Sequence, residues 1–263
     1  MKLKKIFLYI LPTFIFLLFW EWVSRKGPVN QVLFPPPSEV VISWLNLVKD
    51  NILLPDIEVS LKRLFFGLVI GSTVAIITGL LTGRIKKIHN IITPFIQAIR
   101  PLPAVAVIPL VIVWLGIGDT AKIFTIAFGS FFPIWLNTHV GAEQIPRIFL
   151  WSARLLNLSP LKLFTKVIFP AALPFILTGV RTGAATAYAM VFVSELAGAS
   201  SGIGYRVAVA QLVYRTDQMM AALVTLGILG ALTDLLIVFI SKKLTPWIKN
   251  HEHEPNYHQK FIS

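Results

Sequence analysis

The 263-residue sequence contains no cysteine. Disulfides, zinc-thiolate sites and cysteine nucleophiles are therefore excluded. Charge is also scarce. Asp, Glu, Lys and Arg make up 14% of the residues, against about 25% in soluble domains. The chain has no Gly-x-x-x-x-Gly-Lys-[Ser/Thr] loop, so it cannot cradle ATP in that way. No His-Glu-x-x-His pair is present, and no short-period repeat. Clear inverted similarity between the two halves is missing as well, which weighs against a secondary transporter. A secondary transporter or channel working without an ATPase is the alternative function.

What the chain does have is apolar sequence in long runs, with 56% hydrophobic residues. A run of about 18 or more such residues can cross a bilayer core as a helix. Spans are expected at 6–23, 61–83, 91–115, 120–138, 170–197 and 219–241, giving an all-α polytopic membrane protein of about six helices. Lys2, Lys4 and Lys5 precede the first run, as in a signal peptide. The run is long, however, carries Trp20 and Trp22, and meets no small-x-small cleavage site. It is expected to be a retained span.

The net charge of +12 belongs to lysines and arginines that anchor helix ends. It is not read as nucleic-acid binding, because no basic patch with interleaved aromatics stands clear of the apolar runs. With the amino terminus inside, the inside segments (1–5, 84–90, 139–169 and 242–263) hold fourteen basic residues. The outside segments hold eight. The excess puts both termini in the cytoplasm of a bacterial inner membrane.

Residues 27–55 are polar and proline-rich. Within them Val40, Val41, Trp44, Leu45 and Val48 repeat at helical spacing, with Glu39, Ser43, Asn46 and Lys49 opposite. This predicts a short amphipathic helix on the membrane surface or on the bundle. Gly67 and Gly71, Gly79 and Gly83, and Gly179, Gly183 and Ala187 lie four apart, the spacing that lets helices approach closely. Pro101, Pro103 and Pro109 interrupt the third run, which is therefore expected to face protein or a pathway.

Ionisable residues inside spans are costly and often functional. Arg100, Arg181, Glu195 and Asp234 qualify, with Glu21 near the end of the first span. At about 1.5 Å per residue, Arg100 and Arg181 enter from the cytoplasmic side and Glu195 lies near the external mouth. Arg100, Pro103, Arg181 and Glu195 are the candidate lining of a translocation pathway, with the arginines favouring an anion. His251, His253 and His258 fall in a polar carboxy-terminal tail, and no metal or other cofactor is expected.

The stretch WSARLLNLSPLKLFTKVIFPAALP, 151–174, is too amphipathic for a disordered loop and too polar to cross. Ser159-Pro160 is a helix start, with serine as cap and proline in the first turn. This stretch resembles the EAA signature of ABC importer permeases, Glu-Ala-Ala-x-x-x-Gly followed by a basic amphipathic run and a proline-bounded end. Ala153 matches the second alanine, and Val167, Ile168, Pro170, Ala171, Ala172, Leu173 and Pro174 match the end. Trp151, Ser152 and Asn157 replace the glutamate, the first alanine and the glycine. The blocks LFPPPSEVV (33–41), SLKRLFFG (60–67), the run 100–141 and SELAGASSGIGY (194–205) are similar to the nitrate/sulfonate/taurine/bicarbonate branch of that family.

The resemblance implies a type I importer permease fold working as a homodimer in membrane lipid. Cytoplasmic ABC ATPase subunits and an extracytoplasmic solute-binding protein are its implied partners. It implies a division into an amino-terminal segment 1–59, a permease core 60–245 with a cytoplasmic coupling loop 139–169, and a tail 246–263. Ala153, Asn157, Leu158, Ser159, Pro160, Phe164, Val167, Pro170 and Pro174 are the implied ATPase-coupling residues. The longest external stretches, 27–60 and 198–217, are candidates for meeting the binding protein. Branch members import small anions, and also thiamine precursors or other heteroaromatic molecules.

Overall fold

The computed structural model describes residues 2–28 and 30–247, with side chains from residue 11 onward. The histidines at 251, 253 and 258 lie outside the described residues. The described chain is all helical: α1 Lys2–Lys26, α2 Pro37–Lys49, α3 Leu53–Arg84, α4 Lys86–Ile99, a 3₁₀ turn Ala104–Val107, α5 Ile108–Leu115, α6 Asp119–Glu143, α7 Arg147–Leu155, α8 Pro160–Leu163, α9 Phe169–Leu196, α10 Ile203–Leu212 and α11 Thr216–Leu244. Among the described residues four continuous helical stretches are long and apolar enough to cross a bilayer: Leu53–Arg84, Asp119–Glu143, Pro160–Leu196 and Thr216–Leu244. The exposed side of α1, with Phe14, Ile15, Phe16, Phe19 and Trp22, is a surface suited to acyl chains.

The third expected span is not one helix. Residues 86–115 form a pair of helices bent by 86° at a short break. Arg100 precedes Pro101, and Pro103 follows two residues later. Arg100 keeps helical geometry and still donates its N–H to Ile96, but Pro101 has no N–H to offer the Gln97 carbonyl, so the ladder ends there. Pro109, by contrast, sits in the first turn of α5, where its missing N–H costs nothing. The second span also starts earlier than hydropathy suggests, at Leu53, because Pro55 is tolerated in a first turn and the polar Asp56 and Ser60 are buried.

The chain divides into two compact units. In the first (residues 2–67, 103–126 and 187–230), α2 packs Val40 and Leu47 against Leu53 and Ala221. The expected face of α2 is rotated. Val41 and Leu45 point outward, while Ser43 is buried and donates its hydroxyl to Asp217. Trp44 Nε1 donates to Thr225 Oγ1 at 3.0 Å. Two hydrogen bonds to α11, in addition to apolar contact, thus select the buried face.

In the second unit (residues 68–102, 127–186 and 231–247), the small residues of α3 work as expected. A Cβ on Gly71 would lie 2.6 Å from the Ala127 carbonyl oxygen, and one on Gly79 would lie 2.7 Å from Thr138 Cβ. Gly179 and Gly183 likewise admit Ile134 of α6. Ala75, Ile96, Ile134 and Trp135 are buried between α3, α4 and α6. Beyond them Trp135, His139 and His89 form a stack with ring centroids 5.2 Å apart at each step.

Candidate coupling segment and charged sites

The segment between α6 and α9, within the second unit, is built from two short helices and a tight turn. Helix α7 buries Ala153, which is 3% exposed, and turns Ile148, Trp151 and Leu155 outward. Its end is a Schellman motif. The Leu158 N–H donates to the Ala153 carbonyl at 3.1 Å, and the Asn157 N–H to that of Arg154 at 2.9 Å. Asn157 holds φ +48°. That left-handed position favours glycine, and asparagine is the residue that tolerates it next best. Asn157 therefore performs the conformational task of the glycine it replaces.

Ser159 caps α8, its side chain accepting from the Lys162 N–H, as the Ser-Pro pair predicts. The fifth span does not begin at 170, however. The helix continues from α8 through a π turn, Phe164–Ile168, into α9. The Phe169 N–H bonds five residues back, to Phe164. Pro170 has no N–H to offer the Lys166 carbonyl, and the widened turn absorbs that loss without a break.

An apolar groove of about 530 Å³ runs under this segment, lined by Pro146, Phe149, Ala153, Val167, Pro170 and Phe175 among others. Leu158 and Pro174 are half-buried, Pro160 is exposed, and Phe164 is partly exposed. Leu155 and Leu161 are 84% and 73% exposed. Residues 147–170 carry Arg147, Arg154, Lys162 and Lys166 and no acid. The result is a stiff, basic surface with leucines at its crest.

The four pathway candidates have different surroundings. In the second unit, Arg100 caps the carboxy end of α4 and is exposed. Its guanidinium has no hydrogen-bond or ion-pair partner among the described residues. Arg181 makes a two-pronged pair with Asp234 of α11, Nη2 donating at 2.8 Å. It ties α9 to α11, and its charge is balanced. In the first unit, Pro103 is exposed and opens the 3₁₀ turn. Glu195 is fully buried, its side chain 0% exposed.

Glu195 heads a network that sequence reasoning missed. It accepts from Arg63 Nη1 at 2.8 Å and from Ser60 Oγ at 2.8 Å. Arg63 Nε also donates to Asp119 at 2.8 Å, and Arg206 Nε to Asp56 at 2.8 Å. Lys122 is buried beside them, giving its ammonium to the Ile117 carbonyl. Asp56, Ser60 and Arg63 recur at helical spacing on α3, which is the one signal the sequence offered. By hydropathy alone they read as charges of an external loop. The 198–202 loop beside them spells Gly-x-Ser-x-Gly. It joins two helices, not a strand to a helix, so it is not a hydrolase elbow.

Residues 67–250 match the family model described as "Binding-protein-dependent transport system inner membrane component". A Brucella melitensis protein named "Probable ABC transporter permease protein" is 40% identical over 228 residues, covering 87% of this chain and 92% of that one. The taurine transport system permease protein TauC of Escherichia coli is 29% identical over 233 residues, covering 87% and 85%. Among solved structures, a chain of the MetNI methionine ABC transporter aligns with a TM-score of 0.64 at 22% identity, over 73% of this chain and 96% of that one. The helices described above thus follow the type I importer permease fold, and the chain belongs to the family of binding-protein-dependent transport system inner membrane components.

Proposed function

We propose that this permease subunit works as a homodimer whose two copies enclose one pathway, with both termini in the cytoplasm. A binding protein above delivers solute, as the family description suggests, and ATPase subunits below power it, as the ABC-transporter names of the relatives suggest. The coupling loop is 139–169 within a core of 60–245, flanked by the amino-terminal segment 1–59 and the tail 246–263. Ala153, Asn157, Leu158, Ser159, Pro160, Phe164, Val167, Pro170 and Pro174 shape the handle that an ATPase grips. The observation that carries this reading is the segment itself. It is basic and free of acid, fixed by two helix caps, and crowned by leucines that nothing among the described residues covers. ATPase closure pushes on it and opens the pathway outward, an alternation between two states.

The solute is a small anion of the sulfonate type. The name of the Escherichia coli relative supports this, and so does the unpaired charge of Arg100 at a helix break, next to a pathway also lined by Pro103. Arg181 and Glu195 complete the proposed set of pathway residues, each held in an ion pair, with Asp234 and Arg63 respectively. The test is to replace Arg100 with glutamine in the transporter reconstituted with its ATPase and binding protein. A charge-assisted hydrogen bond contributes about 1.5–3 kcal/mol, so uptake of an anionic solute at limiting concentration is expected to fall by roughly ten- to more than a hundredfold. Unchanged uptake and unchanged ATPase coupling would remove Arg100 from the mechanism.

A further inference from the structure

Helix α10 begins at Gly202 without a capping side chain of its own, yet three of the amide groups at its amino end are satisfied. The Gly202 N–H donates to Asp56 Oδ1 at 2.8 Å, the Ile203 N–H to Ser60 Oγ at 2.9 Å, and the Gly204 N–H to Glu195 Oε2 at 2.9 Å. Asp56 and Ser60 stand one turn apart on α3, and Glu195 ends α9. Arg63, on the next turn of α3, bonds Glu195 and also the Ser201 carbonyl at 2.7 Å. Arg206 of α10 returns a bond to Asp56. A helix end leaves its first amides without intrahelical partners, and here the partners come from two other helices.

The fit leaves no slack. Gly202 holds φ +116°, and a Cβ there would lie 2.5 Å from the Glu195 carboxyl carbon. Moving α10 away from α3 strands the Gly202 and Ile203 amide donors and the Asp56 carboxylate, all in buried surroundings, and each stranded group is costly. Moving α10 and α3 together, with the end of α9 that carries Glu195, strands none.

We propose that Asp56, Ser60, Arg63 and Glu195 form a latch that makes α10 a passenger of α3, so that the two travel as one body through the transport cycle. These are positioning residues. Leu212, Val213 and Tyr214, exposed at the far end of α10, then report the position of α3, and a partner seated on them acts on α3 directly. The inference rests on the permease reading for its functional consequence and on the geometry alone for the latch.

Because the chain has no cysteine, spin labels can be placed at Leu54→Cys on α3 and Leu212→Cys on α10, and their separation measured in the assembled transporter. Between nucleotide-free and ATP-trapped states the separation is expected to stay constant within about 2 Å, the scale of small helix shifts. Glu195→Gln, which removes the charge but keeps an acceptor, is expected to broaden the distribution and to lower uptake while ATP hydrolysis continues. Arg63→Lys, a milder change that keeps the charge but loses the fork, is expected to broaden it less. A native separation that changes between states, or a Glu195→Gln distribution as narrow as the native one, would overturn the proposal. If the native assembly shows no ATP-dependent uptake, the permease reading fails. The labelled chain alone then still decides the latch: broadening by Glu195→Gln supports it, and an unchanged distribution overturns it.

Discussion

Aspartate at both Leu155 and Leu161 is expected to abolish ATPase recruitment and leave the permease folded. Both side chains are largely exposed, and surface changes away from special features usually alter stability by no more than about 0.5 kcal/mol. Seated in a partner, each leucine contributes about 1.5–3 kcal/mol. Losing two removes about 3–6 kcal/mol, which weakens the complex by roughly a hundredfold to more than ten-thousandfold. An added carboxylate in an apolar seat only increases that loss. Co-purification from detergent reads the result, with the thermal unfolding midpoint of the permease as the folding control. Normal ATPase recovery with the doubly substituted chain would refute the docking surface.

The second large effect concerns stability. Arg63→Met should destabilise the chain by about 3–5 kcal/mol, the usual cost of removing one partner from a buried ion pair. Glu195 would keep Ser60 and the Gly204 amide but lose its cation. Adding Glu195→Gln to that variant removes the stranded charge, so the double variant is expected to be more stable than Arg63→Met alone. This non-additivity is the mark of residues in one network. Asp119 contributes little to the cost, because its side chain is 64% exposed and keeps its hydration. Unfolding of the three forms in matched micelles gives the comparison. Equal stability of the single and double variants would mean that the pair carries no coupling.

Much of this architecture was legible because run length and small-residue spacing are local properties. A long apolar run has few ways to satisfy its backbone in lipid except as a helix. The glycines of α3 sit where α6 approaches closest, as their four-residue spacing foretells. The Ser159 cap was equally local. The prolines at 101 and 103 announced a broken ladder but not its 86° bend, which depends on how the flanking helices pack. The rotated face of α2 was hidden because Ser43 is drawn inward by Asp217, 174 residues away in sequence. The Arg63–Glu195 pair spans 132 residues, and no periodicity within either helix records its partner. The π turn before Pro170 was also invisible, since hydropathy does not distinguish a widened turn from a helix start.

The most direct test of the account is which side of the membrane the α7–α8 segment faces. A single cysteine at Leu155 in this cysteine-free chain can be challenged with a membrane-impermeant maleimide in right-side-out and inside-out vesicles. The account expects labelling only in inside-out vesicles, and protection there once the ATPase is bound. Labelling in right-side-out vesicles would contradict it.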